Sequence, residues 1–417
     1  NATNNPNFIF KGDVIISDND ASVVWTKGTG TITFSGTTAQ TADFLDKSVE
    51  DIVISNTSAT VSLTTNGVTT DGLTVDSGAT FDLNGENLSY ASASSTTNNG
   101  TIRLQGGETL TNVSDLDTDS GTVVYYGDNG GGGSPFTIKD FGTTDYYNLT
   151  FNATLGTDVF RPADTLTVAN DLTITQGTFD NATNDENINV TGNVTMDNTR
   201  TDMGDGTWTV SGNFDWLHVT TFNRNASTLV MDGGTSGTPL QLIGPTSAAN
   251  GIGNLTIPAD CYTVIPSASG SIYMLRTATV AGTLTINSGK TILAYGDSAI
   301  LNVTSTGKIT GDGTFKMESR SKLAQKDGII DVATFEINGT HNTSDTSIIP
   351  ATYESAAFRV RWYSAANISW VPSAGTYTFN GDFYYIVSST GNYTIDNSTN
   401  NPSFVFKKGI SISTTKT

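Results

Sequence analysis

The chain opens with NATNNPNFIFKGDVIIS and returns to it near its end as NSTNNPSFVFKKGISIS, Asn1 aligning with Asn397 and Ser17 with Ser413. Ten of these 17 positions are identical at an offset of 396 residues. This constrains the fold more than composition does, because whatever forms at one end must be able to form again at the other. The chain reads as one long repeat unit plus the start of a further copy. The expectation is that the unit continues past Thr417, and that its partners are further copies of itself in the same chain or in neighbouring ones.

A finer repeat lies inside the long one. LTVDSGATF at Leu73 to Phe81, LTITQGTF at Leu172 to Phe179 and LTINSGKTI at Leu284 to Ile292 alternate apolar and polar residues, pass a Gly turn and start a second short strand. Upstream of these lie IVIS (Ile52 to Ser55), NLTF (Asn148 to Phe151) and NLTI (Asn254 to Ile257). Those come after TITFSG (Thr31 to Gly36), TVVYYG (Thr122 to Gly127) and TLVMDG (Thr228 to Gly233). The order predicts modules at 31–121, 122–227 and 228–318, a divergent fourth at 319–396, a preceding junction at 1–30 and the start of the next copy at 397–417.

Strings such as TVANDLTI, NVTGNVTM and TVSGNFDW recur at about 20 to 22 residues, the length of one coil of a β-solenoid. Stacked coils would pair each strand with its equivalents above and below. Val168, Leu172, Ile174, Val190, Val194, Val210 and Phe214 are then predicted to face inward, with the Thr and Asn between them mostly exposed. The fold expected is all-β, a parallel β-helix or β-solenoid of tandem coils. A string of β-sandwich domains of about 100 residues each is the alternative, since it would also show regular short strands.

Composition narrows the class further. Thr (71), Ser (39), Asn (37) and Gly (43) favour strands, turns and caps over helix interiors, which excludes a helical protein. Disorder is disfavoured because Val, Ile, Leu, Phe and Tyr run at strand spacing through the whole length. No apolar run reaches the 18 or so residues of a membrane-spanning helix, so membrane insertion of this segment is not expected. A net charge of -20 repels phosphate backbones, making nucleic acid a poor partner and cations a natural one. The single cysteine, Cys261, permits neither an internal disulfide nor a cysteine metal cluster and reads as a buried small apolar residue. The two histidines, His218 and His341, are too few for an imidazole metal site.

With the strings TITFSGTTAQ, IVIS or NLTI, LTVDSG and NVTGNVTM in view, and the junction WTKGTGTITFSG at Trp25 to Gly36, the chain resembles the β-strand-repeat segments of very long bacterial and archaeal cell-surface proteins. It is similar in this to filamentous-haemagglutinin and autotransporter-type adhesins. The resemblance covers most of the chain and implies an extracellular rod, sheath or fibre at the cell surface that displays or joins something. It supplies no catalytic residue.

Enzymatic signatures are missing from the sequence. Parallel β-helix enzymes that cleave acidic polysaccharides use Asp clusters, yet this chain has no adjacent Asp-Asp pair, no Gly-His-Gly, and neither GxSxG, P-loop nor HExxH. An enzyme is not expected. A polysaccharide-binding or -cleaving β-helix of the tailspike or lyase type stays as the alternative function; exposed aromatics in one column, for example Trp362, Tyr363 and Trp370, would favour it.

The densest chemical signal is Asp115-Leu-Asp117-Thr-Asp119-Ser-Gly121, where alternate carboxylates could converge on a hard cation such as calcium. No other cofactor is expected. The match to a calcium loop is partial, with Ser120 and Tyr126 where an EF-hand wants Gly and Glu, and a solvated turn is the competing reading. A broader signal is the Asn-x-Ser/Thr triplet, of which composition alone predicts about 10. The chain has 18, at Asn1, Asn56, Asn87, Asn99, Asn112, Asn148, Asn152, Asn181, Asn189, Asn193, Asn225, Asn254, Asn302, Asn338, Asn342, Asn367, Asn392 and Asn397. The excess points to a glycosylated external surface, although reuse of NLT and NVT by the repeat accounts for part of it.

Overall fold

The computed structural model describes residues 4–16, 24–128, 135–296, 298–318, 321–326 and 328–338, then the strands and short connections at 352–353, 357–362, 368–370, 376–379, 381–387, 393–395, 398 and 403–414. Among them there is no helix, and every strand ladder whose register is given is parallel. Parallel pairing between strands about one coil apart is the signature of a solenoid, whereas a β-sandwich pairs its strands antiparallel. The chain is therefore a parallel β-solenoid of about 14 turns, and the sandwich alternative is set aside. It divides into two compact units, Asn1–Asp202 and Met203–Thr417, a boundary that falls inside the second sequence module.

In the first unit, one inward column runs Val61, Phe81, Ile102, Val123, Leu149, Leu172 and Val194, each residue opposite the next in register. A second column beside it runs Leu104, Tyr125, Phe151, Ile174 and Met196. All are buried, while the residues between them, such as Thr150, Thr173 and Thr195, are half-buried or exposed. The alternation results from the pleat: successive side chains point to opposite faces, so period-two hydrophobicity fixes the face. Each inward Val, Leu, Ile or Phe contributes roughly 1.5–3 kcal/mol by burial. Tilted aromatic contacts add to this where Phe151 lies 5.1 Å from Phe160 and 5.5 Å from Phe179, centroid to centroid.

The second unit repeats the scheme. Trp208, Leu229, Leu255, Ala278 and Leu301 form one inward column and Leu284, Ile309 and Ile330 part of another. Val168, Leu172, Ile174, Val190, Val194, Val210 and Phe214 are all buried, as the sequence predicts.

Similar strings occupy different faces in different modules, and some polar residues point inward. In the first two modules the strands TITF and TVVY stack on IVI and NLTF, and those on LTV and LTI, in one column. In the third, NLTI stacks not on LTINSG but on Thr277–Val280, and LTINSG lies instead against Tyr262–Ile265. Every face of a solenoid demands the same alternation, so similar strings can occupy different faces. Small polar residues are also not uniformly outside: Asn56, Asn98, Asn181 and Asn198 are buried. Asn98 shows why, because its side chain accepts from the Gly100 amide at 3.2 Å and donates to the Thr122 carbonyl at 3.3 Å. Where the chain bends, the ladder leaves backbone groups unpaired, and an inward Asn satisfies them.

Candidate functional site

Asp is the recurrent residue where strands end. Asp43 accepts from the amide of Leu45 at 2.9 Å, Asp82 from Asn84 at 2.9 Å, Asp180 from Ala182 at 3.1 Å and Asp215 from Leu217 at 2.9 Å. These are Asx turns, in which a short carboxylate caps the amide two residues on. Much of the acidic excess is thus turned onto the backbone at coil corners.

The Asp115–Gly121 loop obeys the same rule. Asp115 accepts from the amide of Asp117 at 3.1 Å and, through its other oxygen, from the Ser95 hydroxyl at 2.6 Å. Asp117, at a positive φ of 82°, accepts from the amides of Asp119 at 3.0 Å and Asn98 at 2.7 Å and from the Ser120 hydroxyl at 3.2 Å. Partial burial pushes its carboxyl upward, but the Asp119 and Asn98 amides outweigh this and hold it below the ordinary carboxylate range. Asp119 is exposed and supplies its amide to Asp117. The loop thus arranges Asp115 and Asp117 as turn caps, and among the described residues no group of three or more His, Cys, Asp or Glu is placed to hold a metal ion. His218 is exposed in a turn and Cys261 is buried with its Sγ 3.7 Å from an Asp232 oxygen.

The Asn-x-Ser/Thr positions separate by burial. Asn87, Asn99, Asn112, Asn152 and Asn225 are exposed, and Asn148, Asn189, Asn193, Asn254 and Asn302 are half-buried. Asn56 and Asn181 are buried, each with its side-chain nitrogen donating to a carbonyl, of Thr38 at 2.7 Å and of Glu186 at 2.8 Å. These two act as internal corner caps. Asn148 and Asn254 also spend their amide nitrogens on the coil before, at the carbonyls of Gly121 (2.8 Å) and Ala226 (3.0 Å). Asn1, Asn342, Asn367, Asn392 and Asn397 lie outside the described residues, as do the side chain of Asn338, His341, Tyr363 and the side chains of Trp362 and Trp370.

An open groove of about 360 Å³ is lined by Thr310, Gly311, Asp312, Asp331, Val332, Ala333 and Lys408. It offers two carboxylates and an ammonium but no aromatic ring.

A carboxylate column marks one corner of the first unit. Burial, then the neighbouring charges of Asp46, Asp43 and Glu108, push the Glu86 carboxyl upward. Nearby, Arg103 stands 3.0 Å from Asp82 and 4.3 Å over the Tyr126 ring, whose hydroxyl donates to the same Asp82 at 2.9 Å. These contacts span coils at the corner and act as outer staples. Sequence reasoning missed this column because its members lie one to three coils apart and look like unrelated turn residues. Comparison with protein-family models, with curated proteins and with solved structures gives no match.

Proposed function

We propose that this chain is a stretch of an extracellular, structural or adhesive tandem-repeat protein that builds a surface fibre, sheath or layer. The observation that carries the reading is the solenoid itself. Inward columns of Val, Leu, Ile and Phe are wrapped by Thr, Asn, Ser and Asp, and the acidic residues serve as corner caps. Such a stack gains length by adding coils and needs no dedicated site to do its work. The exposed Asn87, Asn99, Asn152 and Asn225 suit glycan attachment in an organism that performs it, and external cations, calcium among them, suit the acidic surface as counter-ions.

Antibody labelling of intact source cells tests the location. Surface label that protease removes without lysis is expected; label seen only after permeabilisation overturns the reading. The groove at Asp312, Asp331 and Lys408 is the feature that favours polysaccharide binding instead. Glycan-array retention lost in Asp331→Asn would establish that alternative.

A further inference from the structure

The residues equivalent across the long repeat occupy the two end coils. Phe8–Phe10 and Ser403–Phe406 are edge strands of their sheets among the described residues, each with a neighbour on one side. The first coil packs on its successor: Phe8 lies opposite Ile32, Phe10 opposite Phe34 and Val14 opposite Ala42. The last coil packs on its predecessor: Phe406 lies opposite Phe379 and Ile410 opposite Phe383. The open faces are apolar. Ile410 and Ile412 are 52% and 67% exposed, although their register partners Phe383 and Tyr385 are buried. Among the described residues, Ile9, Ile15 and Val405 of these coils are also exposed, Ile9 and Val405 on the outer face.

We propose that the two end coils are one joint seen from its two sides, and that its occupant is a second copy of the 396-residue unit stacked in register. The strand Thr31–Phe34 of the second copy lies on Ser403–Phe406 as it lies here on Phe8–Phe10, and Gln40–Asp43 lies on the strand that begins at Ile410. Ile32 of that copy then meets Phe404, Phe34 meets Phe406, and Ala42 meets Ile410. The polar contacts transfer with the backbone. Gln40 donates here to the carbonyls of Phe10 at 3.2 Å and Gly12 at 2.7 Å, and Lys11 to the Ser35 carbonyl at 3.0 Å. Phe406, Lys408 and Lys407 stand at the equivalent places. Two contacts do not transfer unchanged: the Thr31 amide donates to Asn7 at 3.0 Å and the Thr41 amide to Asp13 at 2.7 Å, and Ser403 and Gly409 occupy those positions in the last coil. The inference rests on reading the chain as a tandem-repeat element and is independent of where in the organism that element sits.

The test is a two-copy protein in which Thr417 is joined directly to residues 22–417 of a second copy, with the buried Cys261 replaced by Ala in both. Ile9 and Thr33 are register partners on the outer face, and Val405 is the equivalent of Ile9. Outer-face partners on adjacent strands lie within disulfide reach. Val405→Cys with second-copy Thr33→Cys is expected to close a disulfide, and Val405→Cys with second-copy Val53→Cys, one coil out of register, to stay open. Amide exchange at Phe404–Phe406 should slow about tenfold or more relative to the single copy. Ile9→Cys with Thr33→Cys in the single chain shows that the geometry is competent to oxidise. If that pair closes while the 405–33 pair does not, or if the 405–53 pair closes equally well, the joint is wrong. A closed 405–33 disulfide in a protein that never labels at the cell surface would leave the joint standing and remove the proposed location.

Discussion

Arg161 reaches one coil forward to Asp180, its Nε and Nη2 standing 3.1 and 2.5 Å from the same carboxylate oxygen. The Asp180 carboxyl is pushed upward by burial, but the Arg161 hydrogen bonds outweigh this and hold it below the ordinary range. A depressed carboxyl contributes stability that is complete above its unfolded-state pKa and is lost as pH falls through its folded value. Asp180→Asn should therefore destabilise at neutral pH, by about 1 kcal/mol because the pair is only partly shielded from water, and should flatten the acid limb of the melt-versus-pH curve. Parallel acid limbs in variant and parent would show that the pair does not couple to folding.

Glu86 has the opposite sign. Its carboxyl is raised by burial and then by Asp46, Asp43 and Glu108, so the folded state loses stability as pH rises from the ordinary carboxylate range through the raised value. Glu86→Gln is expected to stabilise slightly at pH 7, by about 0.5 kcal/mol, with the gain disappearing below the ordinary range. Denaturant melts at three pH values check both points.

Leu172 and Thr173 are adjacent, face opposite ways and provide a local test of the coil. Leu172 is fully buried between Leu149 and Val194. Leu172→Ala should cost about 2–5 kcal/mol, whereas Thr173→Ala should stay within about 0.5 kcal/mol of the parent. Equal effects would contradict the assigned register.

Asn56 holds a corner from inside, donating to the Thr38 carbonyl at 2.7 Å and accepting from the amides of Ser58 and Ala59 at 3.1 Å each. Its replacement by Ala leaves several buried groups unpaired and should cost about 2 kcal/mol or more. Site mapping on native material should find no glycan at Asn56 or Asn181, with any occupancy confined to outward positions such as Asn87 and Asn225. A glycan on Asn56 in the folded protein would contradict its buried position.

Asp117→Ala releases the amides of Asn98 and Asp119 and should destabilise by about 1–2 kcal/mol. Its role as a turn cap makes that loss the same with and without chelator at fixed ionic strength. A loss that vanishes in chelator would instead make the loop a cation site, as alternate carboxylates suggest by sequence alone.

Fold class and much of the core are legible in the order of residues. Period-two alternation decides which residues face inward, so Leu172, Val194 and Val210 can be named as core before any contact is known. A spacing near one coil is compatible with strand stacking. Which face of the coil a string occupies is not written there, because all faces demand the same alternation; LTINSG therefore lies against Tyr262–Ile265 and not against NLTI. Nor is the direction of short polar side chains at corners. Asn56 and Asn87 begin similar triplets, yet one caps the interior and the other meets solvent. Three-dimensional stacking settles such cases, since the unpaired backbone groups that draw an Asn inward or turn an Asp onto an amide arise where the chain bends between strands and one coil stacks on the next.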